Sequence, residues 1–488
     1  MSLTATDIFC GAGGSSTGLV AAGYELKLAA NHSKIAIETH SANHRNTEHI
    51  CADINNYDMR KLPATDILWA SPICTEISPA GGARRTRNRG QIGIGDEYEP
   101  ADSEAFIRTR ATAYDVLRAM EVHYYKAVIV ENVPEFATDW VLFPWWRQAG
   151  GLLGYNSQVT CVSSAHIGGP GNEHAPQWRD RLYVIFTRKG IPLPDVRPRP
   201  LAWCPVCEVD IEAVQVWRRG RSIGKYRRQY DFRCPQAKCR NSKVEPYTRP
   251  AAAAIDFSNL GRRIGDRTRP LAANTTRRIE AGLAQHPQRA SLVTLNHSGH
   301  DGRSQLPGEA PLPARTRKVG EGLLIPGMLV PAGGTWNDTG TLLSEPMRTR
   351  TTRDTEALVT MPFVVTMRRN GGAHRVDHPL ATVTAAGRHH GLVIPYRKGA
   401  AKPISEPLLT LATRDSAGVL TPAEAIDEPV RVEDCHFRML QPREQLAAQR
   451  FPADYIMRGN KTEQTMQAGN AVSCNVAQWL GAAVAAVL

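Results

Sequence analysis

The chain has 488 residues, with 59 Lys plus Arg against 47 Asp plus Glu, a formal charge of +12. That length allows two or three domains and a well-buried core, and 42% hydrophobic with 22% charged residues excludes wholesale disorder. No apolar run reaches the roughly 18 residues of a membrane span, the N-terminus lacks a signal-peptide layout, and ten cysteines in so long a chain do not suggest a disulfide scaffold. The positive surplus is compatible with nucleic acid as a partner.

Through residue 190 or so, strands and helices alternate. Short apolar runs at 6–9, 26–30, 66–70, 127–130, 157–162 and 182–186 are each of strand length. Ala113, Leu117, Met120 and Tyr124 recur at helical spacing and line one helix face. Strands alternating with helices predict an α/β fold, a Rossmann-like doubly wound, mostly parallel sheet. Prolines 192, 194, 198 and 200 then introduce a cysteine cluster and a long stretch rich in Arg, Thr, Gly and Pro. Segments 267–279, 308–319, 344–359, 377–393 and 405–420 form a degenerate repeat: a Pro-apolar pair, alternating threonines, then a basic residue. Alternating Thr after Pro predicts strands, as similar hairpins, a DNA-reading surface or both. The loop tips 296–299, 333–336 and 368–372 read as turns that could also read bases. Helical patterning returns after residue 431, in 437–451 and 471–488.

Several motifs stand at strand ends. Asp7-Ile8-Phe9-Cys10-Gly11-Ala12-Gly13-Gly14 closes the first strand and opens a helix. Glycines permit either a tight turn or close approach to a ligand. Ser71-Pro72-Ile73-Cys74-Thr75 follows another strand, where a cysteine is either a small buried residue or a nucleophile. The basic loop beyond it, Arg84, Arg85, Arg87 and Arg89, could stabilise a thiolate or grip phosphates. Glu131 in Val130-Glu131-Asn132-Val133-Pro134 is awkward to bury unpaired and so faces a cleft, where it can do acid work. Gln177-Trp178-Arg179-Asp180-Arg181 opens a strand with two arginines on one face.

Together these residues resemble the cytosine-C5 DNA methyltransferase family. The segment 7–14 resembles its motif I, Asp53-Ile54 motif III, 71–75 the catalytic Pro-Cys motif, 131–133 motif VI, and 177–181 motif VIII. Segments 438–452 and 467–480 resemble the last two motifs, so the likeness covers roughly 1–190 and 435–488. Two positions depart from the family: His32 stands where an acidic residue usually meets the cofactor ribose, and Ile73 where proline precedes the nucleophile.

The resemblance implies transfer of a methyl group from S-adenosyl-L-methionine to C5 of a cytosine flipped out of double-stranded DNA. Cys74 is the implied nucleophile, Glu131 the group on N3, and Arg179 and Arg181 the residues holding the pyrimidine oxygen. Phe9, Gly11, Gly13, Gly14, His32, Asp53, Ile54, Pro72 and Asn470 are the implied cofactor contacts. Ser78, Arg84, Arg85, Arg87, Arg89 and Gln177 are expected on the DNA. The alternatives are a tRNA cytosine-C5 methyltransferase and a catalytically silent DNA-binding member. A monomer, with no membrane association, in the cytoplasm of a bacterial or phage-infected cell, is expected.

Cys204-x2-Cys207 and Cys234-x4-Cys239 suit four thiolates around one structural Zn²⁺, with two reduced core pairs as the alternative. Residues 218–249 hold eleven Arg or Lys against Asp231 and Glu245, and Trp217, Tyr226 and Tyr230 interleave. Arg218, Arg219, Arg227 and Arg228 are therefore expected on phosphates. The expected organisation is a first catalytic segment at 1–195, a zinc ribbon at 196–250, a β-rich target-recognition domain at 251–430 and a returning catalytic segment at 431–488.

Overall fold

The computed structural model describes residues 2–73, 104–256, most of 258–280, and 432–488, with strands alone between 291 and 420. Chain contacts divide it into one unit of residues 1–249, 311–318 and 445–488, and a second of 250–310 and 319–444.

The first unit is built on strands β1 (Thr4–Ile8), β2 (Glu25–Asn31), β3 (Glu48–Cys51), β4 (Ile67–Ala70), β5 (Ala127–Asn132), β6 (Tyr155–Ser163) and β7 (Asp180–Arg188). They form one sheet in the order β3-β2-β1-β4-β5-β7-β6. Strands β1 to β5 pair in parallel, and β7 runs antiparallel to both neighbours. Both faces are covered, which is why the parallel strands read as unbroken apolar runs rather than alternating ones. Alternation still sorts the side chains. Leu68, Ala70, Val128 and Val130 face one cluster with Ala113, Val116 and Met120 of α3 (Glu104–His123) and Trp146 of α5 (Phe143–Leu152). Ile67, Trp69, Ala127 and Ile129 face the other, against Leu19 of α1 (Gly14–Ala21) and Val476, Leu480 and Val484 of a C-terminal helix, Cys474–Ala485. Two further helices complete this part, α2 (Lys34–Asn43) and the short α4 (Glu135–Thr138).

The returning segment differs from its expected helix. Residues Cys435–Met439 are a strand, paired antiparallel with Glu321–Pro326 in the second unit, and the helix starts only at Pro442. Helix Lys461–Asn470, with a capping box from Asn460 and Glu463, is not evident in the apolar pattern because its buried residues, Thr465, Gln467, Ala468 and Gly469, include no large apolar side chain.

In the second unit every described strand pairing is antiparallel. Strands Glu356–Val359, His390–Pro395 and Ala417–Leu420 occupy the apolar ends of the repeats. The first repeat departs from its expected strand: the Thr275 and Thr276 amides donate to Ala272 O at 2.8 and 3.1 Å, closing a helical turn. The loop tips at 296–299, 333–336 and 368–372 lie outside the described residues.

Candidate active site

Strand order reverses between β1 and β4, and in an open α/β sheet ligands bind in the crevice beyond the carboxyl ends at such a point. Phe9, His32, Ala52, Asp53, Ile54, Asn55, Ile73 and Thr112 line a cleft there, with an empty volume near 470 Å³. The first residues after β1, β2 and β3 thus converge with Ile73, three places after β4, because the parallel strands all end on one side. Phe9 sits at φ +62°, a left-handed conformation that ends β1 abruptly. Asp53 caps the short turn Ile54–Asn56 by accepting from the Asn55 amide at 3.2 Å, and Ile54 is buried.

The glycines of the first turn have separable reasons. Gly11, at φ +54°, would place a Cβ in open space. A Cβ on Gly13 would come within 2.5 Å of the Tyr455 hydroxyl, and one on Gly14 within 2.0 Å of the Val472 carbonyl. Gly13 and Gly14 are thus required by the returning segment, which the sequence pattern did not distinguish from close approach to a ligand. Behind the turn, Asp7 is fully buried and its Oδ2 accepts from Ser15 and Ser16 at 2.6 Å each. Burial pushes its carboxyl up to about 7 despite those bonds. Ser16 Oγ meets His40 Nε2 at 2.8 Å, and His40 Nδ1 meets His49 Nε2 at 2.8 Å.

Cys74, Ser78, Arg84, Arg85, Arg87 and Arg89 lie outside the described residues. The two residues before Cys74 are held on both sides. Pro72 O accepts from Asn132 Nδ2 at 3.2 Å, and the Ile73 amide donates to Thr112 Oγ1 at 3.1 Å. A proline at 73 could not make the second bond. Glu131, 7% exposed, is paired through Oε1 with Arg181 Nε at 3.0 Å.

Arg179 takes different partners from Arg181. It is 3% exposed and donates to Ala471 O at 2.6 Å and Gly469 O at 3.4 Å, the carbonyls flanking Asn470. Asn470 itself, the last residue of its helix, is exposed. Gln177, expected on DNA, is instead fully buried, its carbonyl accepting from Ser164 Oγ at 2.8 Å. Cys51 is exposed because β3 is an edge strand. Cys10, Cys161, Cys435 and Cys474 are buried.

Residues 201–249 form small antiparallel sheets from β8 (Leu201–Cys204), β9 (Val209–Glu212), β10 (Val214–Trp217), β11 (Tyr230–Arg233) and β12 (Lys243–Val244). They bring the Sγ atoms of Cys204, Cys207, Cys234 and Cys239 within 4.8 Å of one another. Cys207 and Cys234 Sγ are 4.0 Å apart. That is too far for a disulfide and close to the ~3.8 Å edge of a sulfur tetrahedron around zinc at ~2.3 Å. The donor set fits Zn²⁺. The basic run around it is partly neutralised: Arg218 binds Asp231 through Nε and Nη2 at 2.7 Å each, and Arg227 pairs with Glu245 at 2.9 Å. Arg219, Arg221 and Arg228 are exposed, with no carboxylate partner among the described residues.

The model of the C-5 cytosine-specific DNA methylase family matches residues 3–202 and 349–486. The chain belongs to this family. The second match begins well before 435, inside the region expected to be unlike the family. The family implies S-adenosylmethionine as methyl donor, and the mixed, mostly parallel sheet fits the class I methyltransferase fold. The chain is similar to the type II methyltransferase M.NlaX of Neisseria lactamica, at 26% identity over 188 residues, 37% of this chain. It spans half the length of that curated relative. Similar solved structures include a Spodoptera frugiperda DNMT2 mutant, at 12% identity, 99% of each chain and TM-score 0.45. Another is the Entamoeba histolytica methyltransferase EhMeth, at 11% identity, 99% and 98% coverage and TM-score 0.44. No helix among the described residues is long and apolar enough to cross a membrane.

Proposed function

We propose that this family member methylates C5 of cytosine in double-stranded DNA, on a base flipped out of the helix, through a covalent bond from Cys74. The observation that carries this reading is the convergence at one end of the sheet: the cleft residues after β1 to β4 and the Glu131–Arg181 pair at the end of β5 and the start of β7.

S-adenosylmethionine, when bound, supplies the methyl group. Its adenine end suits the cleft of Phe9, Asp53 and Ile54, with His32 able to hydrogen-bond a ribose hydroxyl, and its methionine end suits the open face of Gly11. Pro72 and Asn470 complete the proposed contacts. The Cys74 thiolate adds to C6 of the cytosine, which makes C5 nucleophilic. Glu131 hydrogen-bonds or protonates N3 as the adduct forms, and Arg181 stabilises the charge developing at O2. Arg179, engaged with Gly469 and Ala471, orients the returning segment beside Asn470. Loss of the C5 proton then expels Cys74. Ser78, Arg84, Arg85, Arg87 and Arg89 contact the DNA.

Cys204, Cys207, Cys234 and Cys239 hold one structural zinc, and the ribbon around it contacts phosphates. The catalytic residues come from 1–195 and 431–488, with target recognition in 251–430, and the protein acts as a monomer.

The test is transfer of labelled methyl from S-adenosylmethionine to unmethylated duplex DNA and, in parallel, to tRNA. Labelling of DNA with a covalent complex on fluorocytosine-containing DNA, lost in Cys74→Ser, is expected. Transfer only to tRNA, or trapping retained in Cys74→Ser, sinks the proposal.

A further inference from the structure

The basic loop between β10 and β11 turns one of its cations inward. Lys225 Nζ pairs with Glu135 Oε1 at 2.7 Å, the two side chains being 28% and 11% exposed. The next backbone amide, that of Tyr226, donates to Asp180 Oδ1 at 3.1 Å. Glu135 lies four residues after Glu131 in sequence, and Asp180 immediately precedes Arg181. Two consecutive residues of the loop therefore grip both chain segments whose side chains meet as Glu131–Arg181.

This grip is anchored in the ribbon core. The Tyr226 ring stacks on Trp178 at 5.6 Å and packs against Phe232 at 5.7 Å, two residues before Cys234. Cys204, Cys234 and Cys239 belong to the same buried cluster. A second tie, Gln215 Nε2 donating to Cys161 O at 2.8 Å, fixes β10 to β6. A phosphate contact needs an ammonium offered to solvent, as Arg219 and Arg228 offer their charge; Lys225 instead satisfies a nearly buried carboxylate.

The geometry points to Lys225 as a positioning residue: through Glu135, beside the Tyr226–Asp180 bond, the cysteine-clustered ribbon sets how Glu131 and Arg181 face the target base. This rests on the reading of Glu131 and Arg181 as the groups that hold the base. Groups acting on a reacting ring tolerate little displacement, and a shift of about 1 Å costs on the order of 100-fold in rate. The ribbon is then part of the catalytic arrangement as well as a DNA anchor.

The full chain, carrying its metal, is assayed for methyl transfer from S-adenosylmethionine to sheared unmethylated genomic DNA. Lys225→Met is expected to lower kcat about tenfold, with KM for DNA and for S-adenosylmethionine within about twofold and Tm within a few degrees. Lys225→Arg keeps most of the rate, and Lys225→Met with Glu135→Gln together fall no further than either alone. Where Lys225→Met lowers Tm by more, Glu135→Gln, which keeps side-chain volume, decides by the same split. Glu131→Gln is expected to lose at least about 100-fold. An inactive Glu131→Gln beside a Lys225→Met with unchanged kcat, or with only KM for DNA raised, overturns the inference alone. An active Glu131→Gln overturns the reading of the site, and the inference with it.

Discussion

Asn132 Nδ2 donates to the Pro72 carbonyl at 3.2 Å, joining the end of β5 to the residue two places before Cys74. Its Oδ1 accepts from the Val133 amide at 2.8 Å, so both ends of the side chain are engaged. Asn132→Ala leaves two buried backbone groups without their partner, at a cost of about 2 kcal/mol. A Tm several degrees lower by calorimetry, with methyl transfer reduced at least about tenfold at temperatures where the variant is folded, is the expected result.

The glycines of the first turn separate experimentally. Gly14→Ala forces a Cβ to 2.0 Å from Val472 O, and the backbone must move, so a loss of about 3 kcal/mol or more is expected. Gly11→Ala meets open space and bears only the left-handed penalty at φ +54°, about 1 kcal/mol. Urea unfolding distinguishes them. Weakened S-adenosylmethionine binding in folded Gly11→Ala is the companion outcome, measured by calorimetric titration.

His166 makes the fold acid-sensitive. It is 2% exposed against Trp178, Tyr226 and Phe232, and neither ring nitrogen has a hydrogen-bond partner among the described residues. Burial, aided by His174 and Arg227, pushes its imidazole down to about 3. The unfolded chain protonates near 6.5, so between those values it binds more protons and stability falls as pH falls. His166→Phe should lessen the stability lost between pH 8 and pH 5 by about 2 kcal/mol. Denaturant unfolding at both pH values checks it, and an unchanged acid loss would refute it.

The ribbon arginines divide by partner. Arg218 is held by Asp231, whereas Arg219, Arg221 and Arg228 are exposed. Alanine at the latter three should shallow the dependence of log K for DNA on log salt by about 0.9 for each phosphate no longer neutralised. Arg218→Ala should leave the slope unchanged and lower Tm, since it strips Asp231 of its bidentate partner.

Much of the sheet was legible because both its faces are buried, which turns strands into apolar runs such as 127–130 and 182–186. β3 escaped because Glu48, His49 and Cys51 on an edge strand need not be apolar. The strand Cys435–Met439 escaped because its pattern is too short to oppose the helical run that follows. In the site, strand-end position was readable for Phe9 and Glu131, Asp53 was marked only by the family resemblance, and partner choice was not readable. Arg179 and Arg181 are two apart in sequence, yet one serves the carbonyls of Gly469 and Ala471 and the other a carboxylate. The count of positive charge in 218–249 likewise missed Glu135, which lies far from it in sequence.

The seating of Val472 and Tyr455 against Gly14 and Gly13 also bears on how the chain is made. One face of the sheet, with Ala5, Ile67, Trp69 and Ile129, is roofed in part by Val476, Leu480 and Val484. On the ribosome those strands emerge long before their roof. At about 5–20 residues per second the wait after the last of them is roughly 20–70 s. Through that interval the nascent chain presents a greasy, half-finished surface, so yield in the cell should depend on chaperone supply and on translation speed.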